Sequence, residues 1–254
     1  MNRELYTGRW SFEAMEEFLT YTMGLVPEDD FIMDRNGSRL NISIRKPDGS
    51  FILLKNSTYK AVFKTITDDR SLMLQAVQRG IPFSISHAAD EIRLDREFAI
   101  DALKGSGQDA SIILMGFCPV FEDDTEIVKL AMSEESSALQ WASDRLREDI
   151  GMLTYVIESY GGKAVGVDSA TTKEFVIKNI PVFLSILDFI PDRMLDDEEI
   201  IMAAVKEDGM ALMWASSRLQ DNEEIVREAI KECPYAIVMA STRIKNMPEF
   251  KNLY

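Results

Sequence analysis

A segment of about 25 residues recurs along most of this chain, and this repeat limits the folds that the chain can adopt. Its pattern begins with an acidic residue, continues with apolar residues at helical spacing and ends in A-L-x-x-A-S-x-R-L. The two clearest copies span residues 196–220 and 221–245. Each repeat is too short to bury an apolar face alone, so stacked neighbours must bury it. The sequence therefore predicts a mostly α-helical chain in which about seven helical hairpins stack as an α-solenoid.

The apolar residues of the first helix hold the same positions in every repeat. The predicted repeats begin at Asp68, Leu94, Asp123, Glu148, Thr171, Asp196 and Asp221. When that first residue is numbered n, positions n+4 and n+5 are apolar throughout. Position n+8 is mostly alanine, with Asn179 as the polar exception. This spacing places the apolar residues on one stripe of a helix, and the alanine lets neighbouring helices approach closely.

Acidic or hydroxyl residues at position n predict where each first helix begins. Four repeats have the spacing of a capping box, in which the side chain at n accepts from the backbone three residues later. These pairs are Asp123 with Glu126, Thr171 with Glu174, Asp196 with Glu199 and Asp221 with Glu224. In the repeat that starts at Leu94, Asp95 is the better cap. The first helices are expected to stop near Gly80, Gly161, Gly209 and Pro234.

The first 66 residues do not follow the repeat. Residues 13–21 and 57–66 have helical spacing, whereas residues 39–55 alternate apolar and polar residues around a K-P-D-G turn, which predicts a β-hairpin. We therefore divide the chain into an N-terminal α+β cap, residues 1–66, and a helical-repeat domain, residues 67–254. The hairpin is expected to pack on flanking helices at the end of the repeat array.

The charge of the chain narrows the classes of partner. A formal net charge of −15 and a pI near 4.6 repel nucleic-acid phosphates and anionic membrane surfaces. We expect no direct nucleic-acid or membrane binding, and a basic protein is the partner that the charge favours. The N-terminus has no secretory apolar segment, and no apolar run is long enough to span a bilayer. These features predict a cytoplasmic protein, in the host cytosol if the chain is viral.

The alternation of D-x-E-h-h-x-x-A-h-K with A-L-x-x-A-S-x-x-L resembles the short helical repeats of the family called domain of unknown function 4116. The resemblance is closest in residues 123–148 and 196–245, weaker in residues 68–122 and 149–195, and absent from residues 1–66. It implies an all-helical repeat array of a kind found in bacterial and viral proteins. The family has no established chemistry, so the resemblance assigns no catalytic residue.

Residue types that usually carry chemistry are sparse or have structural explanations. Cys118 and Cys233 are far apart and are expected to be buried, reduced thiols. The paired carboxylates lie at helix starts, where acids stabilise the helix dipole, and the glycines of residues 161–166 do not have the phosphate-binding order. We predict no metal, no cofactor and no catalytic group. An enzyme remains an alternative only if His87, Asp90 and Glu91 form a site between the cap and the first repeats.

Two residue types recur in register and are the candidates for partner binding. Arg145, Arg193, Arg218 and Arg243 share position n+22. Such a row could hold carboxylates or phosphates of a partner, although pairing with the acidic start of the adjoining repeat explains it better. Trp141 and Trp214 share position n+18 and could be binding hot spots, but packing between repeats is the more common role.

The sequence thus favours a non-enzymatic helical-repeat protein that binds another macromolecule, most simply a protein. The first alternative is an acidic inhibitor or nucleic-acid mimic of a host or defence enzyme, which the charge of −15 motivates. The second is the enzyme described above. The sequence does not predict the oligomeric state or the face that binds.

Overall fold

The structure is a computed structural model, and it describes residues 31–36, 39–46, 48–57, 64–65, 67–78, 85–86 and 88–251. The helix predicted over residues 13–21, most of the helix predicted over residues 57–66, and the predicted positions of Gly80 and His87 lie outside the described residues. The chain divides into two compact bodies, an N-terminal body of residues 1–135 and a C-terminal body of residues 136–254. The boundary at residue 66, which was placed where the repeat pattern begins, stays a prediction.

The N-terminal body contains a three-stranded antiparallel sheet. Its strands are β1 (Phe31–Asn36), β2 (Arg39–Arg45) and β3 (Phe51–Ser57), in that order across the sheet. A tight turn joins β2 to β3, in which Gly49 has a φ of 83° and Asp48 accepts a hydrogen bond from the Ser50 amide at 2.8 Å. An ion pair between Lys46 and Asp69 connects this turn to the start of the first described repeat. That the sheet caps a repeat array remains a prediction.

The remainder of the described chain is mostly helical, as predicted. The α-helices are α1 (Arg70–Gln78), α2 (Asp90–Arg93), α3 (Arg96–Leu103), α4 (Ala110–Phe117), α5 (Thr125–Glu134), α6 (Asp144–Arg147), α7 (Ile150–Ser159), α8 (Thr172–Asn179), α9 (Glu198–Glu207), α10 (Glu223–Glu232) and α11 (Thr242–Lys245). The 3₁₀-helices are η1 (Gly107–Asp109), η2 (Ser136–Trp141), η3 (Leu184–Asp188), η4 (Gly209–Met213), η5 (Leu219–Asp221) and η6 (Pro234–Met239). The second element of a regular repeat is therefore a 3₁₀-helix, which is tighter than an α-helix and uncommon in long runs.

The stripe of apolar residues in the first helices forms the core of each body. All seven pairs at n+4 and n+5 are buried, with no side chain more than 5% exposed. These pairs are Leu72/Met73, Phe98/Ala99, Ile127/Val128, Met152/Leu153, Phe175/Val176, Ile200/Ile201 and Ile225/Val226. Full burial of a side chain of this size contributes about 1.5–3 kcal/mol, so the stripe is the main source of stability in each repeat.

The predicted capping positions are wrong by one residue in most repeats. The side chains that cap α5, α9 and α10 belong to Asp124, Asp197 and Asn222, at n+1 rather than at n. Asp149 caps α7 in the same way, whereas Asp95 caps α3 as the sequence predicted. Because position n+1 satisfies the first amides of the helix, the acidic side chain at n remains available for other contacts.

Thr171 is the exception and caps α8 at the position that the sequence predicts. Its hydroxyl accepts a hydrogen bond from the Glu174 amide at 3.1 Å. The Glu174 carboxylate in turn accepts from the amide of Ala170 at 3.2 Å. This reciprocal pair satisfies two amides at the start of α8, as a capping box does.

Gly209 permits a close approach between two successive repeats. The first helix α9 ends at Glu207, close to where the sequence predicts. Gly209 is buried, and a Cβ atom there would lie 2.1 Å from the carbonyl oxygen of Ala229 and 2.9 Å from the amide of Cys233. The glycine is therefore needed because the backbone of α10 packs directly against it, and not because the chain turns there.

Asn179 explains the irregular segment in the middle of the repeats. It is fully buried, and its side-chain amide bonds both backbone groups of Val165, accepting from the N–H at 2.9 Å and donating to the C=O at 2.8 Å. It also donates to the carbonyl oxygen of Phe175 at 2.8 Å. Residues 161–170, which follow α7 where a regular repeat has its 3₁₀-helix, are thus a loop held in place by one buried side chain.

Candidate functional site

The start and the end of the repeat at residues 196–220 are joined by a compact group of polar contacts. The Arg218 guanidinium donates to the Asp196 carboxylate at 3.0 Å, to the Asp196 carbonyl oxygen at 2.6 Å and to Glu198 at 2.7 Å. The Ser216 hydroxyl also donates to the Asp196 carboxylate, and the Ser216 amide donates to the carbonyl oxygen of Leu195 at 3.1 Å. We call this group of contacts a staple, because it closes the repeat on itself.

The next repeat contains the same staple at the same positions. Arg243 donates to the Asp221 carboxylate at 2.9 Å, to its carbonyl oxygen at 2.6 Å and to Glu223 at 3.0 Å. The Ser241 hydroxyl donates to the Asp221 carboxylate, and the Ser241 amide donates to the carbonyl oxygen of Gln220 at 2.9 Å. The S-x-R motif of the repeat is therefore the part that returns to the acidic residue at position n.

The staples correct one part of the prediction for the arginine row. Arg218 and Arg243 do pair with acidic helix starts, but these starts belong to their own repeats and not to the adjoining ones. Arg193 does pair with the start of the adjoining repeat, Glu148, and its Nε lies 3.7 Å from Asp144. Arg145 lies exposed in α6. The four arginines thus share a sequence position without sharing one kind of partner.

Arg147, which was not predicted from the sequence, joins the turn after η3 to α6. Its half-buried guanidinium donates to the carbonyl oxygens of Phe189, at 3.0 Å, and of Ile190. Burial lowers the pKa of Arg147 from its ordinary value. Together with Arg193, it brings the turn after η3 onto the residues that precede α7.

A second set of ion pairs joins one repeat to the next, and the sequence analysis missed it. Cations at position n+2 contact the capping residue and a nearby acid of the following repeat. The pairs are Arg70 with Asp95 and Asp101, Arg96 with Asp124 and Glu126, and Lys173 with Asp197 and Glu199. We call these contacts clamps. The signal in the sequence was a basic residue at n+2, which is present in only three of the seven repeats.

The staples and one clamp lower the pKa values of the three aspartates Asp124, Asp196 and Asp221. The hydrogen bond from Ser216 and then that from Arg218 hold the pKa of Asp196 below its ordinary value. The hydrogen bond from Ser241 lowers the pKa of Asp221 most, and that from Arg243 comes second. Arg96 likewise lowers the pKa of Asp124. These acids are therefore committed to holding the repeats together.

The two tryptophans at n+18 are half-buried. The indole Nε1–H of Trp214 donates to the Asp188 carboxylate at 2.7 Å, which joins η4 to the residues of η3. Trp141 lies at the end of η2, beside the buried Ala142. Packing within the C-terminal body is the role that these positions support, and the proposed role in partner binding stays untested.

Exposed apolar side chains lie on the 3₁₀-helices of the last two repeats. Residues three apart share one edge of a 3₁₀-helix, so Met210 and Met213 form a ridge on η4, and Tyr235 and Val238 form a ridge on η6. Met213 is 52% exposed, Tyr235 78% and Val238 47%, whereas Met210 is half-buried. The two 3₁₀-helices that carry these ridges, η4 and η6, pack against each other.

The same positions, n+14 and n+17, are polar in two other repeats. They are Ser137 and Gln140 on η2, and Ser185 and Asp188 on η3. The fold of a repeat therefore does not require apolar residues at these positions. An α-helical periodicity does not predict which edge of a 3₁₀-helix is exposed, so the ridges were not evident in the sequence.

An open cleft of about 410 Å³ lies in the C-terminal body where α8 begins. It is lined by Glu148, Thr171, Thr172, Lys173, Arg193, Met194, Asp197 and Ile200. The Thr172 hydroxyl donates to the carbonyl oxygen of Glu148 at 2.7 Å, and Lys173 lies 2.8 Å from Asp197. Since both cations of the cleft are already held by carboxylates, an anionic ligand would have to displace an internal partner.

The residues suggested for an enzyme are only partly described. Asp90 and Glu91 are exposed at the start of α2, and Asp90 lies 3.9 Å from Arg93, whereas His87 lies outside the described residues. The thiols of Cys118 and Cys233 are half-buried rather than fully buried, and burial raises the pKa of Cys118 to about 11. In the part of the chain that the structure describes, no cluster of three or more potential metal ligands occurs. No helix among those residues has the length and apolar character needed to cross a membrane.

Comparison with known proteins identifies one family in the C-terminal body. A family model described as Domain of unknown function (DUF4116) matches residues 172–220 and, in an overlapping match, residues 197–245. This confirms the resemblance for less than a third of the chain. No curated protein and no solved structure has a significant similarity to this chain.

Proposed function

We propose that this chain, whose C-terminal repeats match the family described as Domain of unknown function (DUF4116), is a non-enzymatic protein that binds another protein. The observation that carries the proposal is the pair of apolar ridges on η4 and η6. Exposed apolar side chains of this kind contribute nothing to the core of a soluble protein, and contiguous ones mark interaction surfaces. The arginine row does not carry the proposal, because Arg193, Arg218 and Arg243 are occupied by internal carboxylates.

The proposed architecture is an α-solenoid with the N-terminal α+β segment as its cap. Two observations support it. The apolar stripe of every first helix is buried, which a short helical hairpin does not achieve alone. The clamps from Arg70, Arg96 and Lys173 each reach the following repeat, as expected when successive repeats are neighbours. We place the protein in the cytoplasm, or in the host cytosol if it is viral.

A second candidate function is that of an acidic inhibitor or nucleic-acid mimic. The net charge of −15 favours it, because a dense negative field attracts the basic surfaces of enzymes that handle nucleic acids. The mimic would bind mainly through charge, whereas the ridges predict an interface with an apolar centre. The two candidates therefore differ in how their affinity depends on salt.

The test is affinity capture from the native host with the full chain as bait, at about 50 mM and about 500 mM salt. We expect a protein partner that is retained at high salt. A basic, nucleic-acid-handling partner that is lost at high salt would instead support the mimic. Recovery of no specific partner at either salt concentration would contradict both binding functions.

A further inference from the structure

The apolar ridges have a charged border. Glu207 and Asp208 precede η4, and Glu232 precedes η6; all three are exposed and form no ion pair among the described residues. The nearby cations are Lys206, which is exposed, Lys231, which pairs with Glu228, and Lys245, whose amine donates to the carbonyl oxygen of Val238 at 2.7 Å. Apart from the Lys231–Glu228 pair, three carboxylates and two cations therefore lie at the edge where the ridges begin. A basic partner would complement this edge.

The spacing of the ridges fits an α-helix that crosses them. Packed helical elements lie about 8–10 Å apart, and seven residues of an α-helix rise about 10 Å. A helix lying across η4 and η6 would thus place residues i and i+7 over successive ridges, with i+3 or i+4 between them. That is the apolar stripe of an amphipathic helix. Methionine adapts its shape to such a stripe, and tyrosine is enriched in protein interfaces.

We infer that the ridges formed by Met210, Met213, Tyr235 and Val238 bind a basic amphipathic helix of the partner protein. The apolar stripe of that helix lies on the two ridges, and its lysine or arginine residues face Glu207, Asp208 and Glu232. This inference rests on the proposed function, because it names the surface and the kind of partner that the function requires.

The probe for a direct test is a designed amphipathic peptide of leucine and lysine, compared with a leucine and glutamate peptide of the same pattern. Binding to the full chain is measured by titration calorimetry. We expect the lysine peptide to bind and the glutamate peptide to bind at least about tenfold more weakly. The combined variant Met213→Gln, Tyr235→Ser and Val238→Gln should weaken binding of the lysine peptide about tenfold or more.

The three substitutions use residue types that other repeats carry at the same positions, so the fold should tolerate them. An unchanged melting temperature checks this expectation. Val167→Gln is the matched control, because Val167 is 58% exposed and lies outside the ridges. The variant Glu207→Gln with Glu232→Gln should reduce the salt dependence of binding.

Several outcomes would overturn the inference. Equal binding of the lysine and glutamate peptides would contradict the basic character of the partner. An unaltered affinity in the combined ridge variant, or an equal loss in Val167→Gln, would show that the helix binds elsewhere. Capture from the host with the same ridge variant separates this inference from the proposed function. If the variant still retains the wild-type partner, the ridges are not the surface, although protein binding stands.

Discussion

Repeats are closed by different polar contacts in two neighbouring regions. These regions are the last two repeats, residues 196–245, and the segment that precedes them, residues 148–195. In each of the last two repeats, an arginine returns 22 residues to the first acid of its own repeat. In the preceding segment, Arg193 contacts Glu148 of the repeat before its own, and a loop held by Asn179 takes the place of a 3₁₀-helix. The comparison shows that the buried stripe is obligatory, whereas the way in which a repeat is closed can change.

The largest expected effect tests how tightly the regular repeats pack. Gly209→Ala should lower the free energy of unfolding by about 3 kcal/mol, because the new methyl group would meet the carbonyl oxygen of Ala229 at 2.1 Å. Gly161→Ala in the preceding segment should cost only about 1 kcal/mol, since its φ of 80° is strained for alanine but the space around it is open. Chemical denaturation measures both. Equal losses would show that the close approach at Gly209 is relieved by a small shift of α10.

The next effect tests the loop that makes the preceding segment irregular. Asn179→Ala introduces the residue that regular repeats carry at n+8, as at Ala204 and Ala229, but it removes every hydrogen bond to Val165. We expect the free energy of unfolding to fall by about 2 kcal/mol and amide exchange at Val165 to accelerate. Asn246→Ala is the control, because that side chain makes one exposed hydrogen bond. Unchanged exchange at Val165 would mean that the loop does not depend on Asn179.

A smaller effect tests the staple itself. Ser216→Ala should cost about 1 kcal/mol, because its hydroxyl donates to Asp196 and accepts from the Leu219 amide. Arg218→Gln should also lower the melting temperature, and the two substitutions together should cost less than their sum, since both act on Asp196. The neighbouring Ser217→Ala is the control because Ser217 is exposed. Strict additivity in this double-mutant cycle would argue that the staple is not one connected group.

The Arg193→Gln variant extends this test to the preceding segment. We expect its melting temperature to fall as well, because Glu148 would lose its cationic partner. If the melting temperature of Arg193→Gln is unchanged but partner binding is lost, the result would instead support a binding role for the arginine row.

The smallest expected effect is the response to acid. The pKa of Asp196 and that of Asp221 are lower in the folded protein than in the unfolded chain, so their contribution is complete above the ordinary aspartate value near 4. The contribution is lost as the pH falls below that value and through the lowered pKa. Denaturation at pH 6 and at pH 3 should therefore show a loss that Arg218→Gln reduces. An identical loss in both proteins would assign the acid response to other carboxylates.

Much of the fold could be predicted because burial follows the period of the helix. Every apolar pair at n+4 and n+5 is buried, since a repeated stripe has only one face that can meet its neighbours. The capping positions were displaced because two acids stand side by side in repeats such as Asp196–Asp197. The sequence does not show which of the two faces the helix amides and which faces the arginine.

The polar contacts were less predictable for a physical reason. Because the repeat length is constant, the arginine at n+22 can reach the acidic helix start of its own repeat or that of the next repeat. The sequence alone did not decide between these two partners. The clamps were missed because the residue at n+2 changes from Arg70, Arg96 and Lys173 to acids in the last two repeats. The apolar ridges depend on the i, i+3 geometry of a 3₁₀-helix, which became evident only in the structure.

The staple also affects how such a chain can lengthen by duplication of its coding sequence. A tandem duplication in the coding sequence of residues 221–245 would copy Asp221, Ser241 and Arg243 together, so the new segment would arrive with its own closure complete. The segment of residues 171–195 lacks this property, because the acid that receives Arg193 lies outside it. A self-closed repeat can therefore be copied without leaving its arginine or its acid without a partner.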